Sequence, residues 1–211
     1  MGYAVKEIFY SLQGEGRNVG RPAVFCRFAG CNLWSGRDRD RATAACNFCD
    51  TDFVGVDGEG GGRFSDTPAL ARAIVKMWGG EGGGKRFVVL TGGEPLLQVG
   101  DELVSTLHER GFEIAVETNG SLAAPGGIDW ITVSPKGATK LAQISGDELK
   151  LVFPQAEVDP EAFEHLAFDH FFLQPLDGPE AEANTVAAID YCLRHPRWRL
   201  SLQTHKFVGI R

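Results

Sequence analysis

The sequence predicts an α/β fold, an incomplete β/α barrel of the TIM type with fewer helices than strands. Three observations carry this expectation. Short strand-like runs recur at 22–28, 87–90, 112–117, 130–133, 149–153, 170–173 and 198–202. Most are nearly continuous apolar segments, the pattern of strands covered on both faces of a parallel sheet. Helical patterns separate some of the runs, as right-handed βαβ units require. The connections 118–129 and 134–148, by contrast, hold Gly, Pro and polar residues with weak periodicity. They are poorly suited to full helices, so the barrel is expected to be incomplete.

Each helix has a readable start or stop. Thr67-Pro68 opens the first, with Thr67 placed to cap and Pro68 suited to the first turn, and ALARAIVKMW continues it. DELVSTLHERG forms a second, closed by a glycine placed as C-cap. Asp159-Pro160 opens a third, and 179–195 carries a fourth, stopped by Pro196. Glycine runs at 58–62 and 79–84 flank the first helix. Neither has the strand before and helix after that a phosphate-cradling loop needs, so both are expected to be surface loops.

The 211 residues are read as one domain, 1–211. No apolar run approaches the ~18 residues of a membrane span. The segment MGYAVKEIFYS alternates apolar and polar residues and lacks the charged head and apolar core of a signal peptide. A cytoplasmic location follows as the expectation, with thiols kept reduced. The net charge of −7 argues against a nucleic-acid partner, which calls for a basic face.

Against that background the cysteines are informative. Three of the five, Cys31, Cys46 and Cys49, fall in one stretch with the spacing C-x14-C-x2-C. A closed structural zinc site wants four ligands. A [4Fe–4S] cluster can take three thiolates and leave one iron open. Cys26, within an apolar run, and Cys192, on an amphipathic pattern with Ile189 and Leu193, are read as core. A zinc module using Cys26 or a histidine as fourth ligand is the competing reading.

Polar residues follow the apolar runs with regularity. Thr91-Gly92-Gly93-Glu94-Pro95, Glu117-Thr118-Asn119-Gly120, Ser134-Pro135-Lys136, Gln174-Pro175 and Gln203-Thr204-His205-Lys206 each come next after a strand. In a parallel β/α barrel these points share one face, where active sites are built. Gly92 and Gly93 would let a ligand approach the backbone, and Glu94 could bind an ammonium group.

A three-cysteine motif after a strand, then a strand ending in Gly-Gly-Glu-Pro, resembles the radical S-adenosylmethionine superfamily. The usual spacing there, C-x3-C-x2-C, would put the middle cysteine where this chain has Ser35. Closing the longer loop costs about 1.4 kcal/mol more, small beside metal-site binding energies on the order of 10 kcal/mol. Ser11-Leu12-Gln13-Gly14-Glu15-Gly16, Phe28-Ala29-Gly30-Cys31-Asn32-Leu33 and Cys49-Asp50-Thr51 narrow the resemblance to 7-carboxy-7-deazaguanine synthases, some of which carry this expanded loop, here 32–45. The resemblance spans essentially the full chain.

What it implies is a radical ring contraction of 6-carboxy-5,6,7,8-tetrahydropterin to 7-carboxy-7-deazaguanine, with loss of ammonia, feeding queuosine and related 7-deazapurines. The implied cofactors are a [4Fe–4S] cluster on Cys31, Cys46 and Cys49, S-adenosyl-L-methionine and Mg2+ at Thr51. S-adenosylmethionine contacts fall on Phe48, Gly92, Gly93, Glu94, Glu117, Ser134, Pro135, Lys136 and Gln174. Substrate contacts fall on Leu12, Gln13, Gly14, Glu15, Arg27, Thr91, His205 and Arg211, the last through its backbone carboxylate. Arg27 suits the substrate carboxylate because its guanidinium fork matches that group. An electron donor such as flavodoxin and a homodimer are also implied. Within radical chemistry the competing reading is an activating enzyme that makes a glycyl radical on a partner protein.

Overall fold

Alternation along the strands sorts this chain's residues between a helix-covered face and a concave face. In the computed structural model, which describes residues 2–81, 83–137, 139–156 and 158–211, β1 (Tyr3–Leu12) and β2 (Pro22–Phe28) form an antiparallel pair, and β3 (Gly62–Phe64) adds antiparallel to β1. Then come α1 (Thr67–Met77), β4 (Arg86–Gly92), α2 (Asp101–Glu109), β5 (Phe112–Thr118), β6 (Trp130–Val133), β7 (Ser145–Phe153), β8 (Ala167–Pro175), α3 (Ala181–Arg194), β9 (Trp198–Leu200) and α4 (Thr204–Val208). Among the described residues the sheet has nine strands in the order β3-β1-β2-β4-β5-β6-β7-β8-β9, parallel from β2 onward. β3 and β9 end it as unpaired edges, so the barrel is open, as expected. Gly82 and Ala138, inside two of the loops expected above, lie outside the described residues.

Val24, Cys26 and Phe28 of β2, Val88 and Leu90 of β4, and Ile114 and Val116 of β5 form the outer core with Leu70 and Ile74 of α1 and Leu103 and Leu107 of α2. Burying each of the larger of these side chains contributes roughly 1.5–3 kcal/mol. The intervening residues point to the concave face. There Ala23, Phe87, Val89 and Ala115 form a small apolar base, while Arg27, Thr91 and Glu117, farther along the same strands, open into a cavity. Among the described residues no helix is long and apolar enough to cross a membrane.

Four local expectations need correction. Asp66, not Thr67, caps α1: its Oδ1 accepts from Ala69 N at 2.8 Å, while Thr67 is buried and its hydroxyl bonds Tyr3 at 2.8 Å. The helix expected from Asp159 is a single 3-10 turn, Pro160–Phe163. Phe163 and Leu166 pack onto a second core, formed by Val133, Leu149, Leu151, Phe171, Leu173 and Trp198 of β6 to β9, and draw the chain back to the sheet. Cys192 does pack there, but Ile189 and Leu193 are exposed and Ala188 and Tyr191 take the inward positions. Finally β1 is a full strand, half-hidden in the sequence because it is antiparallel and one-sided. The glycine closing α2 behaves as expected, Gly111 standing at φ +77°.

Candidate active site

The polar strand ends converge on a single cavity of about 560 Å3 on the concave face, within the size range of small-ligand sites. Thr91, Gly92 and Gly93 end β4, Glu117 ends β5, Ser134 and Lys136 follow β6, Gln174 closes β8, and His205 comes from α4; all line it. So do Leu12, Gln13, Gly14, Glu15, Arg27, Phe48, Cys49, Thr51 and Arg211. Cys31, Cys46, Glu94 and Pro135 stand behind that lining, since none of them reaches the cavity wall.

The expanded loop is ordered around its own small core. Trp34 is buried edge-on to Phe53 at 5.6 Å, and residues Asp38–Thr43 form a 3-10 turn. Arg41 of that turn stacks on Trp34 at 4.0 Å and donates from Nη1 to the carbonyls of Asn47 and Cys49, both at 3.0 Å. The added residues therefore supply a clamp on the ligand-bearing turn. Within it the Cys46 thiol donates to the Cys49 sulfur, which lowers the Cys49 pKa to about 6 and raises that of Cys46. Cys31 Sγ accepts from Leu33 N at 3.4 Å.

Among the described residues no three Cys, His, Asp or Glu side chains converge on a point that would hold a single metal ion. Three free cysteine thiols suit a [4Fe–4S] cluster that leaves one iron open better than a closed four-ligand zinc site. Cys26 is fully buried on the opposite, helix-covered face of β2. It cannot join the other three as a zinc ligand.

The turn after β4 is built for close approach. Gly92 stands at φ +139°, and a Cβ there would lie 2.3 Å from Phe28 O. Glu94 is fully buried and accepts from Leu96 N at 2.9 Å, Asn119 N at 2.8 Å and Thr118 Oγ1 at 2.8 Å. Burial raises its pKa against those bonds. Its carboxylate ties the ends of β4 and β5 together behind the cavity lining. Lys136 Nζ donates to Ser134 O at 3.0 Å and to Ser134 Oγ, while Gln174 Oε1 accepts from Ser201 Oγ at 3.2 Å.

Opposite the cysteines, the segment from Leu12 to Gly16 is pinned from several sides. Gln13 Nε2 donates to Glu117 Oε1 at 2.9 Å. Glu15 accepts from Lys150 Nζ at 2.5 Å and Gln203 Nε2 at 3.0 Å. Burial alone would raise the Glu15 pKa, but Lys150 outweighs it and holds the group at about 2. Gly14 O accepts from both Thr204 N and Thr204 Oγ1 at 2.9 Å, and the His205 ring occupies the space a Cβ at Gly14 would need. Arg27 donates from Nε to Glu7 Oε1 at 2.8 Å, and among the described residues its terminal nitrogens donate to no protein acceptor. The side chain of Arg211, which was expected to act through its backbone, pairs with Glu7 and with Glu59 and lies over the Phe9 ring at 4.6 Å.

Sequence reasoning missed Glu7, Phe9 and Lys150 and gave Gln203 and Lys206 a place on the polar rim without a role; all five line the cavity. Lys150 alone left a signal, a charge in the middle of an otherwise apolar run. Lys206 bridges Asp50 at 2.9 Å and Asp177 at 2.5 Å, joining α4 to the cysteine segment and to the loop after β8. Nothing local in the sequence marks that bridge.

Comparison with known proteins bears directly on this arrangement. The radical SAM superfamily profile matches residues 40–148, beginning inside the expanded loop. A 7-carboxy-7-deazaguanine synthase of Bordetella pertussis is 63% identical over 210 residues, covering 100% of both chains. One from Bradyrhizobium diazoefficiens is 64% identical over 211 residues, again 100% of each. The chain belongs to the 7-carboxy-7-deazaguanine synthase family. A crystal structure of QueE from Escherichia coli superposes with a TM-score of 0.74 at 28% identity, covering 97% of this chain and 95% of that one. Superfamily membership brings with it a [4Fe–4S] cluster, S-adenosylmethionine, a small-molecule substrate and an external source of electrons.

Proposed function

We propose that this chain is a 7-carboxy-7-deazaguanine synthase acting on 6-carboxy-5,6,7,8-tetrahydropterin, with Cys31, Cys46 and Cys49 as cluster ligands. The observation that carries the reading is full-length identity above 60% to synthases of that name, in a chain whose expected substrate groups and most of its expected cofactor groups line one cavity. When bound, the cluster and S-adenosylmethionine supply a 5′-deoxyadenosyl radical that takes the substrate's C6 hydrogen.

The chain's own work is placement. The glycine turn at 92–93 exposes backbone to the amino acid end of S-adenosylmethionine, and Phe48, Ser134, Lys136 and Gln174 would border the rest of it. Glu117, near its expected ribose, also accepts from Gln13 and so links the cofactor and substrate halves of the cavity. Arg27 offers its terminal nitrogens to the substrate carboxylate. Gln13 and Glu15 present amide and carboxylate to the pterin ring, and His205 closes over Gly14. Loss of ammonia is redox-neutral overall, so the conversion needs no external oxidant.

Mg2+ is assigned to Thr51, which lines the cavity between Asp50 and Asp52. A lone hydroxyl suits that ion only with substrate oxygens and water completing its shell. Residues 1–211 act as one domain in this reading, with 32–45 as an insertion. A flavodoxin-type donor and a homodimer complete the proposal. The cavity's size and its wall of Arg27, Gln13 and Glu15 favour a small anionic ring over the protein loop that an activating enzyme would dock.

The test is anaerobic reconstitution with iron and sulfide, followed by dithionite, S-adenosylmethionine and the carboxytetrahydropterin, with and without Mg2+. The expected result is 7-carboxy-7-deazaguanine by mass spectrometry, with loss of both bound iron and product in Cys46→Ser. Cleavage of S-adenosylmethionine without any deazapurine product from the reconstituted wild type overturns the substrate assignment.

A further inference from the structure

Lys150 stands in the middle of β7 with its side chain only 6% exposed. Ionised groups are scarce in protein interiors because leaving water is costly, and they persist when paired and hydrogen-bonded. Here one cation faces three carboxylates. Glu15 Oε2 is 2.5 Å from its Nζ and Glu117 Oε1 is 3.8 Å away. Glu148, two residues earlier on β7, points to the same face and is buried. Glu148 Oε2 also accepts from Arg17 N at 2.9 Å. The remaining charged or titratable groups nearby are Lys136, after β6, and His205 of α4.

Two hydrogen-bonded arms leave this centre. Through Glu117 the first reaches Gln13 Nε2 at 2.9 Å, and Gln13 Oε1 in turn accepts from Glu15 N at 3.1 Å. Through Glu15 the second reaches Gln203 Nε2 at 3.0 Å. The first arm holds the segment after β1, and the second holds the chain entering α4. Both segments carry the groups assigned above to the substrate, and neither belongs to regular structure at those residues. Backbone bonds hold Gln13 to Arg21 and Gly20, and Gly14 to Thr204, so what these polar contacts set is where the Gln13 and Gln203 side chains point.

We propose that Lys150 is a positioning residue: it is the shared counter-ion of Glu15 and Glu117, and through them it fixes the Gln13 and Gln203 side chains around the substrate. This rests on the substrate reading given above. Remove the cation and two carboxylates on one wall, with Glu148 beside them, are left unmatched. They separate or take up protons, and either response moves the arms. Misplacement of about 1 Å can cost on the order of 10²-fold in catalysis.

Steady-state kinetics on reconstituted Lys150→Met, Lys150→Arg and the pair variant Lys150→Met/Glu15→Gln, measured from pH 5.5 to 8.5 beside the wild type, test this. Lys150→Met is expected to bind iron as the wild type does and to raise KM for the carboxytetrahydropterin by on the order of 10²-fold at neutral pH. That deficit should shrink at the acid end, where protons replace the missing cation. Lys150→Arg should recover a large part of it at neutral pH, and in the pair variant, which also loses the Glu15 carboxylate, the pH dependence of the deficit should weaken. A wild-type KM in Lys150→Met overturns the proposal, as does a deficit indifferent to pH and to the second substitution, which would mark a merely structural lysine. If Lys150→Met is insoluble, the pair variant decides. Solubility there supports the counter-ion role and insolubility overturns it, because removing one cation and one carboxylate restores the net charge of the cluster, with Glu117 and Glu148 left in place. Product from the wild type separates failure of this inference from failure of the substrate reading.

Discussion

Gly93→Ala tests how the sheet holds the cysteine segment. A Cβ at position 93 would stand 2.1 Å from Gly30 O, 2.6 Å from Gly30 C and 2.9 Å from Cys31 Cβ. An ordinary C···O contact is about 3.3 Å, so the two segments must part by roughly 1.2 Å. Neither can yield freely, because both are backbone held by backbone. Gly30 O accepts from Glu94 N at 2.9 Å, Gly30 N donates to Phe53 O at 3.2 Å, and Gly93 N donates to Phe28 O at 3.2 Å.

Overpacking of this kind costs about 1–3 kcal/mol, which at this chain length lowers Tm by roughly 2–12 °C. The larger consequence is local, since the segment pushed away carries Cys31. A shift of that size in a cluster ligand should lower bound iron and cut product formation on the order of 10²-fold. Circular dichroism melting, iron and sulfide per chain, and anaerobic turnover read the three effects. Gly126→Ala is the control, since a Cβ there meets no heavy atom within 4 Å. A Gly93→Ala protein with wild-type melting, full iron and full turnover would refute the tight-contact argument.

Arg27→Lys keeps the charge beside Glu7 but removes the planar fork. Loss of a charge-assisted hydrogen bond of about 1.5–3 kcal/mol should raise KM for the substrate about 10–10²-fold with little change in kcat, and an unchanged KM would unseat Arg27 from that role. Glu15 is held at about 2 against an ordinary 4.5. A depressed carboxylate pKa contributes stability that is fully present above 4.5 and is lost as pH falls through about 2. Glu15→Gln should therefore flatten the acid limb of stability in that window, removing on the order of 3 kcal/mol of pH dependence, and acid titrations of both proteins in urea would expose an unchanged slope.

The parallel strands were legible because each carries a continuous apolar run, and the polar residues after them were legible because strand ends in such a sheet share one face. Cys31, Cys46 and Cys49 stood out by spacing, and Gly92-Gly93 by composition. β1 was not read as a strand, since its alternation of buried and half-buried residues resembles an exposed segment until β2 pairs with it. The bonds that Thr118 and Asn119, distant in sequence, give to the Glu94 oxygens were not legible either. Arg41 was invisible for a similar reason. In an exposed-looking run of alternating charges, only folding of the loop onto Trp34 reveals which arginine reaches the carbonyls of Asn47 and Cys49.

Sequence alone thus determined the parallel strands, the cysteine trio, the open-barrel class and the family resemblance, because those properties are written in local composition and spacing. Tertiary structure alone decided which charges meet. Lys150 with Glu15, Lys206 with Asp50, and Arg211 with Glu7 and Glu59 are pairs separated by most of the chain. The physical reason is that periodicity states which face a side chain takes, while the partner on that face is chosen by strand order and register, which long-range packing sets.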